Sequence, residues 1–369
     1  MTVVAALILL LTAGLAAANG ANDVSKGVAT LAGAGVTRYR TAVLWGVVAT
    51  FAGSMLSLIL AARITKLFST GIVAATPTDA FALAVLTGAL VWIVVATLAR
   101  LPVSTTHAIV GALIGAGLLL APRAVKWHAL LPRIVIPLLA SIAFAYAVSA
   151  LINRLTRRAP ECICVDVAAP IPLAPSLTSA AMVMRSSTLP VVAVTMGTEA
   201  ECRVHRARSS GFRLAMNGGH WMSSGATSFA RGLNDTPKIV AIGAFGLVPG
   251  HLQAGQLLVV VALAMALGGV AAGIRVAKQL GENLIRMSHA EGFKANLTTA
   301  VLVGLGANLG LPMSTTHVSA GAIAGIAGTD VRRLRGDTLR AFVLAWTVTP
   351  ATAALIAGVA FLVLRSVIR

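Results

Sequence analysis

"LPVSTTHAIVGALIG" at Leu101–Gly115 and "LPMSTTHVSAGAIAG" at Leu311–Gly325 place three hydroxyls and an imidazole directly behind a proline, twice, in an otherwise apolar chain. A second motif repeats ahead of each. "GANDVSK" at Gly20–Lys26 and "GLNDTPK" at Gly232–Lys238 both read G-x-N-D-x-x-K. From Asn22 to Ser104 is 82 residues (104 − 22), and from Asn234 to Ser314 is 80 (314 − 234). Two motifs in the same order at nearly the same spacing mark an internal duplication, so the chain is two copies of one unit.

The setting is a bilayer. Of 369 residues, 57% are hydrophobic and only 11% charged, with a mean hydropathy of +0.90; soluble domains carry about 25% charge. Apolar runs at Thr41–Ala62, Ala80–Ala99, Ile134–Ile152, Leu257–Ile274 and Ala341–Leu364 reach the length of about 20 residues that a spanning helix needs. "MTVVAALILLLTAGLAAANG" lacks the basic start of a signal peptide and reads as a retained first span. About ten membrane segments are expected, since the STTH segments can re-enter without spanning.

The net charge of +18 suggests nucleic acid, but the basic residues sit between apolar runs, as in "RYR" at Arg38–Arg40, "RLTRR" at Arg154–Arg158 and "RRLR" at Arg332–Arg335. Such clusters mark cytoplasmic helix ends and touch anionic headgroups. Lipid is the expected partner and nucleic acid is not.

Residues 153–220 break the apolar pattern, with eight Arg (154, 157, 158, 185, 203, 206, 208, 213) against four acids (161, 166, 199, 201). This excess reads as a cytoplasmic linker. "APIPLAPS" punctuates it, and "SSTLPVVAVTM" at Ser186–Met196 reads as a short strand within a small folded piece. The expected organisation is a first transmembrane repeat at 1–152, the linker at 153–220 and a second repeat at 221–369. Cys162, Cys164 and Cys202 all lie in the linker. Three sulfurs without a CxxC pair read as ordinary reduced thiols, and no cofactor is expected.

Duplication in a polytopic protein points to a secondary transporter with its substrate near the bilayer midplane. Asp23 and Asp235 are costly inside a membrane and are expected to face a cavity or a partner rather than to cap a helix. Lys26 and Lys238 follow at i+3, and either share a face with their Asp or snorkel to the interface. After the proline, Ser104, Thr105 and Thr106, like Ser314, Thr315 and Thr316, present hydroxyls beside the free N–H groups of a new helix, which suits an oxyanion. His107 and His317 read equally as packed imidazoles or proton carriers. Gly111, Gly115, Gly321 and Gly325 are spaced for close helix contact. "GLGANLG" at Gly304–Gly310 fits neither nucleotide fingerprint and reads as packing.

With "GANDVSKG", "SFARGLNDTPK" and the two STTH segments, the chain resembles the inorganic phosphate transporter (PiT) family of secondary permeases. The resemblance implies an all-α polytopic membrane protein of two inverted repeats with broken or re-entrant helices, importing an oxyanion on a cation gradient and carrying no enzymatic activity. It places Asn22, Asp23, Asn234 and Asp235, with the STT hydroxyls, around the anion and its coupling ion. Better-known members carry Asn where this chain has Lys26 and Lys238. An ammonium there substitutes for sodium, so a proton is favoured over sodium as the coupling cation. Phosphate is the expected substrate, because its P–OH needs an acceptor that an ionised Asp supplies and sulfate cannot use.

Two alternatives stand beside it: a sulfate or other tetrahedral oxyanion permease, and, from another class, a metal-ion transporter or intramembrane metalloenzyme using the paired His and Asp. The absence of HExxH and the poor zinc affinity of hydroxyls weigh against the last. The expected location is the cell membrane. A homo-oligomer is compatible with the sequence and unspecified by it.

Overall fold

A computed structural model describes residues 2–99, 101, 103–156, 162–168, 191–197, 208–209, 211–248, 250–283, 287–328 and 336–368. Cys202, Pro102, the "RRLR" cluster and the "APIPLAPS" stretch lie outside them. The chain divides into two compact units, one made of Met1–Leu155 with His220–Arg369, the other of Thr156–Gly219.

The large unit is helical. Its elements are α1 (Val3–Asp23), α2 (Ser25–Gly33), α3 (Tyr39–Leu60), α4 (Ala62–Lys66), α5 (Asp79–Leu98), α6 (Thr105–Leu120), α7 (Trp127–Leu130) and α8 (Ile136–Leu155). After the linker come α9 (Gly211–Leu247), α10 (Ala254–Asn283), α11 (His289–Leu309), α12 (Thr315–Ala327) and α13 (Gly336–Val367). Among the described residues, six helical segments are long and apolar enough to cross a membrane: Val3–Gly33, Tyr39–Leu60, Asp79–Leu98, Trp127–Leu155, Ala254–Lys278 and Arg340–Val367. They overlap the five apolar runs and the N-terminal stretch read from the sequence, with ends that differ by one or two residues at Met1, Ala62 and Ala99.

Local chemistry sets the ends. Thr2 and Thr78 cap α1 and α5 by accepting from Ala5 N and Phe81 N, and Ser288 with Glu291 forms a capping box on α11. Gly310, at φ 76°, closes α11 in the left-handed region that favours glycine. The "GLGANLG" stretch is the end of this helix, and it packs closely as well, since a Cβ on Gly306 would overlap Met313 and one on Gly310 would overlap Arg63. At Leu131–Val135 the helix loosens to a π-turn, where Pro132 offers no N–H.

The core runs through α1, α5, α6, α9, α10 and α13, with Leu15, Phe81, Leu86, Ile109, Ile242 and Phe361 all buried. Large apolar side chains also point outward, among them Leu10, Ile59, Leu267 and Leu355. Conversely, Arg231, Lys26 and Lys238 are among the largest fully buried side chains. Apolar outside and charged inside is the arrangement of a protein whose solvent is hydrocarbon.

Helices approach to backbone contact through glycine. A Cβ on Gly111 or Gly115 of α6 would overlap the carbonyls of Pro350 or Ala354 in α13, and one on Gly321 or Gly325 of α12 would overlap Ile142 or Tyr146 in α8. The small-xxx-small spacing therefore serves packing in both halves.

The small unit contains a three-stranded antiparallel sheet of order β2-β1-β3, with β1 at Cys162–Ala168, β2 at Val191–Gly197 and β3 at Arg208–Ser209. Cys162 pairs with Gly197 and Ala168 with Val191. Among the described residues this sheet and an isolated bridge between Val73 and Val125 are the exceptions to helix and turn, and β2 falls on the stretch read as a strand.

Candidate functional site

The two G-x-N-D-x-x-K motifs and the two STTH turns meet inside the large unit. In the first half the chain kinks at Val24, so that Asp23 ends α1 and Lys26 lies in the first turn of α2. In the second half α9 runs on through Asn234, Asp235, Pro237 and Lys238. Neither Asp caps a helix. Each pairs with its own lysine, Asp23 Oδ1 with Lys26 Nζ and Asp235 Oδ1 with Lys238 Nζ at 3.1 Å. Both lysines are almost wholly buried, at 1% and 0% exposure, so neither snorkels. A buried pair persists only when further hydrogen bonds satisfy it.

The STTH turns supply those bonds. Lys26 Nζ donates to Asn22 Oδ1 at 3.2 Å and to Val103 O at 3.3 Å. Lys238 Nζ donates to Thr106 Oγ1 at 2.6 Å and to Met313 O at 3.3 Å. Each lysine thus binds the carbonyl just ahead of its own half's STT. The threonines cross over: Thr106 Oγ1 donates to Met313 O at 3.4 Å, and Thr316 Oγ1 to Val103 O at 2.9 Å. Every such carbonyl accepts from a lysine of one half and a threonine of the other.

Ser104 and Ser314 are the N-caps of α6 and α12, their hydroxyl oxygens accepting from His107 N and His317 N at 3.3 and 3.2 Å. Each keeps its own O–H for another acceptor. Asn234 Nδ2 donates to Asp235 Oδ1 at 2.9 Å and Met313 O at 2.8 Å. Asn22 Nδ2 is turned to Thr97 Oγ1 at 3.2 Å and Leu101 O at 3.1 Å. The imidazole centroids of His107 and His317 lie 4.7 Å apart with the rings tilted by 50°, and the His317 ring also lies 4.3 Å from that of Trp346. His317 Nδ1 is 3.1 Å from Leu138 O, while its Nε2 and the Nδ1 of His107 are buried without a partner.

Two residues at the centre, Asn19 and Arg231, lie outside the repeated G-x-N-D-x-x-K motifs and are not among the expected site residues, although Arg231 belongs to the "SFARGLNDTPK" stretch. Asn19 donates from Nδ2 to Asp23 Oδ2 at 3.1 Å, Thr105 Oγ1 at 2.9 Å and Asp235 Oδ2 at 3.4 Å, and so touches both carboxylates. Thr105 Oγ1 in turn donates to Asp23 Oδ2 at 3.3 Å. Arg231, 1% exposed, donates to Thr50 Oγ1 at 2.9 Å and Asn19 O at 3.5 Å, while its Nε has no partner. It is close enough to both aspartates to interact with their charge. Each residue stands four positions before its Asp, one helical turn away; that shared offset, and for Arg231 a charge within a membrane segment, are the signals that point to them.

The cluster holds Lys26, Lys238 and Arg231 against Asp23 and Asp235, a formal charge of +1 (3 − 2) at full burial. Unpartnered polar atoms remain: Arg231 Nε, Asn19 Oδ1 and Asn234 Oδ1. Among the described residues no three His, Cys, Asp or Glu side chains converge as a metal site would require.

A helical membrane body folded around a buried charged cluster, built symmetrically by two halves of the chain, defines a multi-pass membrane transporter. The sequence profile of the phosphate transporter family matches residues 19–357, and the chain belongs to that family. A Pyrococcus abyssi protein named as a phosphate permease is 25% identical across 97% of each chain. A Mycobacterium bovis protein named as a low-affinity inorganic phosphate transporter is 28% identical, over 92% of this chain and 72% of its own. A solved sodium-dependent phosphate transporter superposes with a TM-score of 0.80 over the whole of both chains at 22% identity. That likeness establishes the fold.

Proposed function

We propose that the protein is a secondary transporter that imports inorganic phosphate across the cell membrane, coupled to protons rather than to sodium. The two halves act as inverted repeats of about ten membrane segments in total, and the linker lies in the cytoplasm. Asn234, Thr315, the Ser104 and Ser314 hydroxyls and Arg231 receive the anion. Asp23, Lys26, Asp235 and Lys238 set the charge of the site, and the neighbouring His107 and His317 carry protons to it. Thr105, Thr106, Thr316 and Asn22 hold the frame.

The observation that carries this reading is the sum of the buried charges. A cluster at +1 (Lys26, Lys238 and Arg231 against Asp23 and Asp235) is neutralised by one monoanion. Dihydrogen phosphate meets that condition, whereas hydrogen phosphate or sulfate would leave a net −1 in a medium that penalises uncompensated charge by several kcal/mol, of order ~3 on insertion scales. Hydrogen phosphate reaches neutrality by taking up a proton and sulfate does not, which couples phosphate entry to protons and disfavours sulfate. Lysines already occupy the places from which a coupling cation would neutralise Asp23 and Asp235.

Uptake of radiolabelled phosphate and sulfate into proteoliposomes, with sodium and pH gradients imposed separately, tests the proposal. The expected result is phosphate uptake driven by an inward proton gradient in the absence of sodium. Strict sodium dependence with indifference to pH would falsify the coupling, and preferential sulfate uptake would overturn the substrate.

A further inference from the structure

A second cationic site lies apart from the buried cluster, at one end of the helical unit. A cavity of about 430 Å³ opens between α4 with its following π-turn, the segment that leads through α7 into α8, and the end of α11. Arg63, Lys66, Lys126 and Arg133 line it, with Thr70 and Gly310. The formal charge of these four is +4, and among the described residues no carboxylate lines it.

Arg63, Lys66 and Arg133 are exposed, with their side chains gathered at the cavity rim. Lys126 is half-buried and donates from Nζ to Thr70 O at 3.0 Å, which holds the ammonium against the wall. The backbone there is tied by Lys126 N to Ile72 O at 3.0 Å and by Ala74 N to Ala124 O at 2.9 Å. Gly310 packs against the stem of Arg63, where a Cβ would collide with it, and Asn308 Nδ2 reaches Leu60 O at 3.4 Å. The negative end of the α11 dipole offsets only about half a charge. Four cations so gathered repel one another unless an anion joins them.

The position gives the anion a reason to be there. The cavity wall includes Leu311, two residues before Met313, whose carbonyl accepts from Lys238, Asn234 and Thr106 in the buried cluster. The cavity also lies at the beginning of α8, whereas the linker follows the end of that helix. With the linker in the cytoplasm, four basic residues stand at the outer face, against the positive-inside bias that orientation alone would produce.

We infer that Arg63, Lys66, Lys126 and Arg133 form a binding site for a phosphate group, a vestibule that concentrates the anion at the outer mouth of the transport pathway. The inference rests on the import reading above. The phosphate group can come from the free substrate or from the headgroup of an anionic lipid.

The test uses the full chain in proteoliposomes of pure phosphatidylcholine or of phosphatidylcholine with phosphatidylglycerol, comparing wild type with Lys66→Gln/Lys126→Gln and Arg63→Gln/Arg133→Gln. Arg40→Gln, an exposed basic position elsewhere, is the control. If the vestibule collects free inorganic phosphate, both double variants raise KM about five- to tenfold in either lipid, keep Vmax, and lose the rise of KM with ionic strength expected of wild type. If a headgroup occupies it, the variants differ from wild type only with phosphatidylglycerol, and wild type alone retains that lipid through purification. Unchanged KM, salt dependence and lipid retention, with unaltered melting temperatures, overturn the inference. Wild-type uptake of sulfate instead of phosphate would overturn the substrate reading, and the same variants assayed on sulfate would still test the vestibule.

Discussion

The first half of the site and the second repeat the same motif, yet they do different things with the position one turn before the aspartate. In the first half Asn19 ties Asp23 and Thr105 together and reaches across to Asp235. In the second half the corresponding residue is Arg231, which turns away to Thr50 and the Asn19 carbonyl. Among the described residues Thr315, the counterpart of Thr105, makes no bond to Asp235 like the one that Thr105 makes to Asp23. Each half keeps an unpartnered amide oxygen, Asn19 Oδ1 and Asn234 Oδ1, while the second half adds an unpartnered cationic donor, Arg231 Nε, so symmetry supplies the frame and its breaking supplies the spare donor.

The strongest way to break that comparison is to remove a carboxylate. Asp23→Asn or Asp235→Asn leaves a buried lysine without its counter-charge, expected to cost about 3–5 kcal/mol and to abolish coupled uptake. Thermal unfolding of the detergent-solubilised protein and proteoliposome uptake measure the two effects. Equal, small losses in both variants would mean that the pairs are not buried as described.

Arg231→Asn comes next, since it makes the second half a copy of the first and takes the formal charge of the cluster from +1 to 0. It is expected to raise KM for phosphate about tenfold or more, about 1.4 kcal/mol of lost binding, with the fold retained. Initial-rate kinetics check it, and an unchanged KM would remove Arg231 from the anion site.

The threonine pair sharpens the contrast. Thr105→Val deletes bonds to Asp23 and Asn19 and is expected to lower stability by about 1–3 kcal/mol, whereas Thr315→Val changes stability little and weakens uptake. Equal melting shifts would contradict the division of labour. The smallest effect is expected at Cys162→Ser, in the linker, where uptake should stay within about twofold; surface and loop changes are usually near neutral.

Much of the architecture is legible in the amino-acid sequence. The spacing of the repeated motifs discloses the duplication, and the apolar runs locate the spanning helices, because hydrocarbon demands long uninterrupted helices whatever the tertiary contacts. Glycine spacing forecasts where α6 and α12 lie closest to their neighbours. Asn19 and Arg231 are not legible in this way, because a single polar residue in an apolar helix declares its neighbours only when other helices are placed around it. The same gap leaves open whether Lys26 and Lys238 snorkel or pair, since depth in a bundle is a property of packing.

By itself the sequence determined that this is a membrane protein with two motifs that recur in the same order, each placing an Asp and a Lys three residues apart ahead of a proline-led run of hydroxyls, all consequences of local periodicity and charge. Only the tertiary structure decided that the two turns interlock, each carbonyl shared by a lysine of one half and a threonine of the other, and that the third cation is Arg231. Those bonds join residues up to 213 positions apart, and no local rule ranks contacts at such separation; close packing of the helices does.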